Sequence, residues 1–183
     1  MVIIAPSILR KTMRIIFVTL FSFISLFALG EEINTMQADF VQTITDEKNS
    51  TISYQGDMLA KRPNLARWHY DRPIEKTVYI TTAQVTIIEP ELEQAIIKHL
   101  NNSIDILAIL ASAQKKDHDH YIAYYDDKEY HITLDKKQIT SLYYWDAFDN
   151  RVEITFTDQK INSSIDDSQF QAEIPPDYDI IED

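Results

Sequence analysis

The sequence predicts a mainly β protein with a small α part, arranged as an antiparallel meander that is closed or nearly closed. Short stretches in which apolar and polar residues alternate recur along most of the chain, and this period of two is typical of half-buried strands. Short polar turns separate these stretches, so neighbouring strands are expected to pair as hairpins. After the first thirty residues, one stretch has its apolar residues at helical spacing.

The first thirty residues are predicted to form a secretory signal peptide that lies outside the fold. Three basic residues precede an apolar run that ends at Leu29, and small residues stand before a cleavage site after Gly30. The run is shorter than the ~20 residues that span a bilayer, although an uncleaved anchor is the alternative. Residues 31–183 are then expected to form a single exported domain, and a bacterial periplasm suits it best.

The composition of the exported part limits its partners. Residues 31–183 keep all 29 acidic residues and 14 of the 17 basic ones, which gives a net charge of −15. Nucleic acid is therefore not expected as a partner, and anionic membrane surfaces would repel the protein. The chain contains no cysteine, so we expect neither a disulfide nor a lipid attached to an N-terminal cysteine.

The N-terminal half of the exported part is predicted to contain six strands. The first runs from Met36 to Thr45, and the second contains Gly56, which marks a β-bulge or a close approach of another backbone. Pro63 forms the corner between the second and third strands. The five strands after the first are predicted at residues 51–61, 65–70, 77–81, 84–89 and 93–100. The last of these could also be a helix by its own pattern, but its place after a hairpin favours a strand.

Apolar side chains and one cation fall on defined faces of the two strands that meet at Pro63, because side chains alternate along a strand. They are Met58, Ala60 and Arg62 before the corner, and Ala66, Trp68 and Tyr70 after it. A guanidinium group beside an apolar row is costly unless it is paired or hydrogen-bonded. We therefore expect Arg62 to have a specific partner.

The predicted helix begins at Ile104 and ends near residue 113. A capping cluster, residues 101–103, precedes it, and Asp105 falls in its first turn. Ile104, Leu107 and Ala108 lie on one face, and the opposite face is apolar as well. A helix that is apolar all round is either an ordinary core helix or a cover over an apolar surface.

The C-terminal part is predicted to add four hairpin strands and a short final strand. The four strands lie at residues 121–125, 129–134, 139–145 and 152–157. Aspartate and asparagine occupy the turns between them, since these residues tolerate the left-handed backbone that a glycine-poor chain needs. Residues 114–120 are predicted to be a solvated loop, residues 170–174 the final strand, and Pro175 the start of an acidic tail.

No enzymatic motif stands out in the sequence. The single glycine after Gly30 excludes a glycine-rich nucleotide loop, and neither Gly-x-Ser-x-Gly nor HExxH is present. His118 and His120 lie in a metal-like Asp-His-Asp-His cluster, for which a hydrophilic loop is the alternative. We therefore predict no enzyme activity, no metal and no cofactor. The tyrosine-rich C-terminal part fits either ordinary core packing or an apolar ligand cavity.

Several segments resemble the LolA family of periplasmic lipoprotein carriers. They are Met36-Gln37-Ala38-Asp39-Phe40-Val41-Gln42, Gly56-Asp57, Lys61-Arg62-Pro63-Asn64-Leu65 with Trp68, Glu93-Gln94-Ala95, and Ile174-Pro175-Pro176. The resemblance is dense over residues 36–100 and looser afterwards. It implies an incomplete, unclosed antiparallel β-barrel around an apolar cavity, covered by one or two lid helices.

The resemblance also implies a monomeric carrier without a cofactor. Such a protein takes triacylated lipoproteins from an inner-membrane ABC transporter, shields their acyl chains, and passes them to an acceptor at the outer membrane. A carrier of another lipid or a glycolipid on the same fold is the alternative. In the family, the arginine of the Arg-Pro corner hydrogen-bonds to the lid, and Arg62 holds that position here.

The resemblance and the strand faces together give a set of candidate ligand-binding residues. The set is Phe40, Met58, Ala60, Arg62, Ala66, Trp68, Tyr70, Ile104, Leu107 and Ala108. The chain departs from longer members in two ways. Only residues 31–35 precede the first strand, so the first lid helix is expected to be absent or reduced to a turn. Ala66 stands where the family often has phenylalanine.

Overall fold

A computed structural model describes residues 33–100, 105–136 and 138–182. The strands of its N-terminal half are β1 (Thr35–Thr45), β2 (Thr51–Lys61), β3 (Leu65–Arg72), β4 (Lys76–Ile80), β5 (Gln84–Glu89) and β6 (Gln94–His99). A helix, α1 (Ile106–Ser112), follows. The later strands are β7 (Gln114–Lys115), β8 (His120–Tyr125), β9 (Lys128–Asp135), β10 (Gln138–Trp145), β11 (Arg151–Ile161) and β12 (Asp179–Glu182). The predicted signal peptide lies outside the described residues.

These strands form one sheet in the order β12-β6-β5-β4-β3-β2-β1-β11-β10-β9-β8-β7. Hairpins join the successive strands from β1 to β6, and the pairing of β1 with β11 connects them to the C-terminal strands. The two edge strands, β12 and β7, lie at opposite ends of this order, so the sheet is unclosed over the described residues. The predicted fold class, mainly β with a small α part and an incomplete barrel, is confirmed.

Gly56 occupies a position in β2 where the backbone of β3 comes very close. The register between the two strands shifts between Gln55 and Gly56. A Cβ atom at Gly56 would overlap the carbonyl oxygen of His69 and lie 2.8 Å from its carbonyl carbon. Both expectations for this glycine, a bulge and a close backbone approach, are confirmed.

Asparagine and aspartate supply most of the left-handed backbone in the turns, as predicted. Nine described residues other than glycine have a positive φ, and seven of them are Asn or Asp. Asp126 and Asp127 form the whole turn between β8 and β9, and Asp149 lies in the turn between β10 and β11. Because these side chains tolerate αL backbone, tight hairpins form almost without glycine.

The helix starts later than predicted, and its cap is a different residue. The carboxylate of Asp105 accepts hydrogen bonds from the backbone N–H groups of Leu107 and Ala108, so Asp105 is the N-cap rather than a first-turn residue. The predicted capping cluster and Ile104 lie outside the described residues. Within the described ranges, no helix combines the length and the apolar composition that crossing a membrane requires.

The C-terminal region differs from the prediction in three places. Residues 170–174 do not form a strand; instead Asp167–Phe170 is a 3-10 turn that buries Phe170 against Leu59 and Ile165. The predicted acidic tail contains β12, which pairs parallel to β6. Part of the predicted loop at 114–120 is β7, which pairs with β8. Phe170 is buried by this turn and not by a strand, so an apolar residue at this position did not indicate a strand.

The main core lies between one face of the sheet and α1. Its largest fully buried side chains are Met36, Met58, Leu107, Ile109, Leu110, Ile132 and Leu142. Fully burying one such side chain stabilises a fold by about 1.5–3 kcal/mol. Leu107, Ile109 and Leu110 make α1 part of the core, and Ile106 and Ile109 also border an internal space.

Candidate functional site

A cavity of about 270 Å³ lies between the inner face of the sheet and α1. It is lined by Gln42, Ala66, Trp68, Tyr70, Val78, Ile80, Ile106, Ile109, Lys128, Tyr130, Leu142, Tyr144 and Ile154. Most of these side chains are apolar or aromatic, and they come from six strands and the helix. The space is therefore suited to an apolar ligand.

The three predicted residues of β3 line this cavity together. Ala66, Trp68 and Tyr70 share its wall, as their period-two spacing indicates. Phe40 lies behind that wall, with its ring edge-on to Trp68 at 5.0 Å and to Tyr70 at 5.1 Å between centroids. Phe40 thus supports the two aromatic side chains of the cavity wall.

The other predicted residues that the structure describes are not part of the cavity lining. Met58 and Ala60 are fully buried in the core, and Leu107 is on the core side of α1. Ala108 is half-buried, and Ile104 lies outside the described residues. The helix presents Ile106 and Ile109 to the cavity. That Met58, Ala60, Ile104, Leu107 and Ala108 bind the ligand stays a prediction.

Arg62 connects the end of β2 to the helix. Its Nη2 atom donates a hydrogen bond of 3.0 Å to the carbonyl oxygen of Leu107, and its Nε atom donates one of 2.9 Å to the carbonyl oxygen of Ile33. The predicted hydrogen bond to the lid helix is therefore present. These two backbone carbonyl groups accept hydrogen bonds from the guanidinium group. They offset the free-energy cost of placing a cation beside the apolar row.

The end of the cavity away from Arg62 is polar, and sequence reasoning missed it. Burial raises the pKa of Tyr130 to about 12, with Tyr144 adding to the shift. Burial also raises the pKa values of Tyr144 and Tyr70. The Tyr70 hydroxyl donates a 3.0 Å hydrogen bond to Oε1 of Gln42. The abundance of tyrosine was visible in the sequence, but which tyrosines face the cavity depends on the curvature of the sheet.

A histidine pair lies near the start of β8, apart from the cavity. Nε2 of His120 is 3.1 Å from Nδ1 of His131, and the rings are within 6° of parallel, with centroids 5.2 Å apart. These values place the two nitrogens nearly between the ring centres, which is the geometry of an in-plane N–H···N hydrogen bond. Nε2 of His131 lies 3.2 Å from Glu129, so His131 donates there and accepts from His120.

The predicted metal-like cluster does not form a site with this pair. His118 is exposed in the loop before β8, whereas His120 begins that strand. In the described part of the chain, no three histidine, aspartate or glutamate side chains come together in a way that could hold a metal ion. His118 thus lies in a hydrophilic loop and does not share a strand face with His120.

The free energy of unfolding is expected to fall as the pH drops below about 6.5, the usual histidine value. Burial lowers the pKa of His131, with His120, Lys116 and Arg151 adding to that effect and Glu129 opposing it. The unfolded chain then binds more protons than the native one in this window, which favours unfolding as the pH falls.

Urea denaturation of wild type and His131→Gln between pH 5.5 and 7.5 measures this dependence. The variant should show a flatter pH profile. His118→Gln, which changes an exposed histidine, should keep the wild-type profile. If the stability of His131→Gln changed with pH as much as that of wild type, His131 would not be the source of the pH dependence.

A family model described as "Outer membrane lipoprotein carrier protein LolA" matches residues 31–129 of the chain, just over half of it. The chain belongs to the LolA family. It is 41% identical over 173 residues to the outer-membrane lipoprotein carrier protein of Campylobacter jejuni, covering 94% of this chain and 99% of that protein. It is also 36% identical over 144 residues to the protein of the same name from Wolinella succinogenes, covering 78% and 84%.

The LolA resemblance, which the sequence predicted over most of residues 35–181, is therefore confirmed. Among solved structures, an uncharacterized conserved protein from Thermus thermophilus has a similar fold, with a TM-score of 0.50 and 13% identity over 82% of this chain and 91% of that one. At that identity the likeness shows a shared fold and nothing about function.

Proposed function

We propose that this LolA-family chain is a lipoprotein carrier that shields acyl chains in the cavity between its sheet and α1. It takes lipoproteins from an inner-membrane ABC transporter, crosses the periplasm as a monomer, and passes them to an acceptor at the outer membrane. The observation that carries the proposal is the apolar cavity under a helix in a chain whose relatives are named lipoprotein carriers. Carriage of this kind makes and breaks no bond.

Burial of methylene groups supplies the affinity. Each methylene removed from water stabilises the complex by about 0.8 kcal/mol, so a long acyl chain provides on the order of 10 kcal/mol before costs. In the structure, Ile106 and Ile109 of α1 cover part of the same apolar surface. A ligand must displace these contacts as it enters, and this competition keeps binding reversible.

Replacing Ala66 by tryptophan is expected to weaken acyl-chain binding at least tenfold. Ala66 is buried on the cavity wall, so an indole at this position would fill space that the ligand needs. The measurement is displacement of a bound apolar dye by a synthetic triacylated peptide. Tenfold weaker binding corresponds to about 1.4 kcal/mol.

The matched control is Val41→Trp, because Val41 is exposed on the face of β1 that points away from the cavity. It should bind the triacylated peptide like wild type. Wild-type affinity in Ala66→Trp, with its circular dichroism spectrum unchanged, would count against this cavity as the binding site. A glycolipid that displaces the dye better than the triacylated peptide would instead support the alternative cargo.

A further inference from the structure

We propose that one end of the cavity binds the neutral carbonyl oxygens at the glycerol end of the triacylated ligand and thereby orients the acyl chains. This polar end consists of Gln42, Tyr70, Lys128, Tyr130 and Tyr144. The proposal rests on the proposed function, because it names the part of the lipid that this same cavity recognises. The hydrogen-bonding groups of these residues would recognise a defined part of the lipid, whereas the rest of the cavity selects only for apolar surface.

The five residues converge from four strands on one end of the sheet. Lys128 is the first residue of β9, and Tyr144 pairs with Val152 near the turn between β10 and β11. Tyr70 pairs with Lys76 near the turn between β3 and β4. The hairpin turns at residues 46–50, 73–75, 126–127 and 146–150 therefore all lie at this end.

The opposite end of the cavity is apolar. Ala66 pairs with Ile80 near the Pro63 corner, and Ile106 and Ile109 of α1 complete the lining. Arg62 holds the helix at this end through Leu107. The cavity thus changes from apolar under the helix to polar near the hairpin turns.

The polar groups lie close enough to act together. The rings of Tyr130 and Tyr144 have centroids 5.1 Å apart. Burial raises the pKa values of Tyr70 and Tyr130, and the charge that Tyr144 would carry raises both further. Tyr70 is hydrogen-bonded to Gln42, so Gln42 is connected to the tyrosines of the polar end.

Several hydrogen-bond donors of the polar end have no protein acceptor. Over the described residues, no hydrogen bond to protein uses the Tyr130 hydroxyl, the Tyr144 hydroxyl, the side-chain amide nitrogen of Gln42 or the ammonium group of Lys128. Water reaches these donors in the empty cavity, since among the described residues the buried side-chain polar atom without a partner is Nε of Arg67. A ligand that fills the cavity removes the donors from water and has to supply acceptors in return. Ester and amide carbonyl oxygens are such acceptors.

The local charge favours a neutral acceptor over an anionic one. Lys128 follows Asp126 and Asp127 in the chain and interacts electrostatically with Asp146. A second ammonium group, that of Lys76, lies 4.7 Å from the centre of the Tyr70 ring. The carboxylates offset both ammonium groups, so this end has no net positive charge that would select a carboxylate or phosphate headgroup. The ligand is therefore oriented with its ester carbonyls near the hairpin turns and its chain ends toward α1 and Arg62.

The test compares two synthetic lipopeptides with equal chain lengths, one with ester-linked chains and one with ether-linked chains. Both displace the same apolar dye, but the ether analogue lacks the two ester carbonyls. Wild type should bind the ester form about fivefold more tightly, which is the effect of one net hydrogen bond. The double variant Tyr130→Phe/Tyr144→Phe should lose this preference while it keeps the affinity for the ether form.

Two further variants separate recognition from misfolding. Lys128→Met changes a half-exposed residue and should also reduce the ester preference. Tyr124→Phe removes a hydroxyl outside the cavity, where the side chain is 68% exposed, and should leave the preference at the wild-type value.

Equal binding of ester and ether forms by wild type would overturn the proposal. So would an ester preference that persists in both the double variant and Lys128→Met, or tighter binding of a free fatty acid than of the ester form. In each of these cases the proposed carrier function would still stand, because the lipopeptides would still displace the dye. Failure of both lipopeptides to displace it would refute the proposed function itself.

Discussion

Replacing Gly56 by alanine is expected to lower the free energy of unfolding by about 3 kcal/mol or more, at the upper end of overpacking effects. The new methyl group would overlap the carbonyl oxygen of His69 and lie 3.0 Å from Cα of Tyr70. These are backbone atoms, so no side-chain rotation relieves the overlap. The strands β2 and β3 would have to separate at the position where β3 carries the aromatic wall of the cavity.

Urea denaturation followed by tryptophan fluorescence measures this effect. A typical domain is stable by only 5–15 kcal/mol, roughly, so a loss of this size removes a large share of the stability. Ser53→Ala is the matched control, because Ser53 is exposed on the same strand; it should change the stability by no more than about 0.5 kcal/mol. A Gly56→Ala variant with the wild-type denaturation midpoint would show that the two backbones separate easily.

Arg62→Leu is expected to leave the fold intact, to load lipid, and to release it about tenfold more slowly than wild type. The guanidinium group donates to the carbonyl oxygens of Leu107 and Ile33, and hydrogen bonds from charged groups contribute about 1.5–3 kcal/mol each. We expect the bond to Leu107 to break when an acyl chain displaces α1. Its loss would therefore destabilise the empty form relative to the loaded one.

The measurement is the rate at which a fluorescent lipopeptide moves from the loaded carrier to acceptor liposomes. Arg72→Leu is the matched control, since it removes an exposed arginine at the opposite end of β3; its release rate should equal that of wild type. Arg62→Lys keeps the charge but not the fork of donors, and it should behave like Arg62→Leu. Wild-type release from Arg62→Leu would rule out the helix-holding role of this residue.

Local patterns predicted the N-terminal strands well because apolar and polar residues alternate there with the period of two that is typical of strands. Alternation placed Ala66, Trp68 and Tyr70 on one face, and the structure confirms it. Glycine-free turns were predicted from Asp126, Asp127 and Asp149, which do adopt left-handed backbone. Near the C-terminus the same reasoning failed, since β12 pairs with β6, a strand about 85 residues earlier, and no local pattern encodes such a partner.

The cavity could be predicted only in part. The helix is apolar on every face, so its spacing could not show that Ile106 and Ile109, rather than Leu107 and Ala108, line the cavity. The polar end was missed for a different reason. Lys128 and Tyr144 come together with Gln42 through the curvature of the sheet across β1, β11, β10 and β9, and this arrangement depends on strand order rather than on any single strand.

The position of the acyl chains can be tested directly by photocrosslinking. A photoreactive phenylalanine derivative replaces Val78, which lines the cavity, or Val41, which is exposed on the outer face of β1. Each protein is irradiated while loaded with an acylated lipoprotein, and the adducts are identified by mass spectrometry. Crosslinks to acyl chains at position 78 and none at position 41 are expected. Adducts at position 41, or no adduct at position 78, would contradict a ligand held between the sheet and α1.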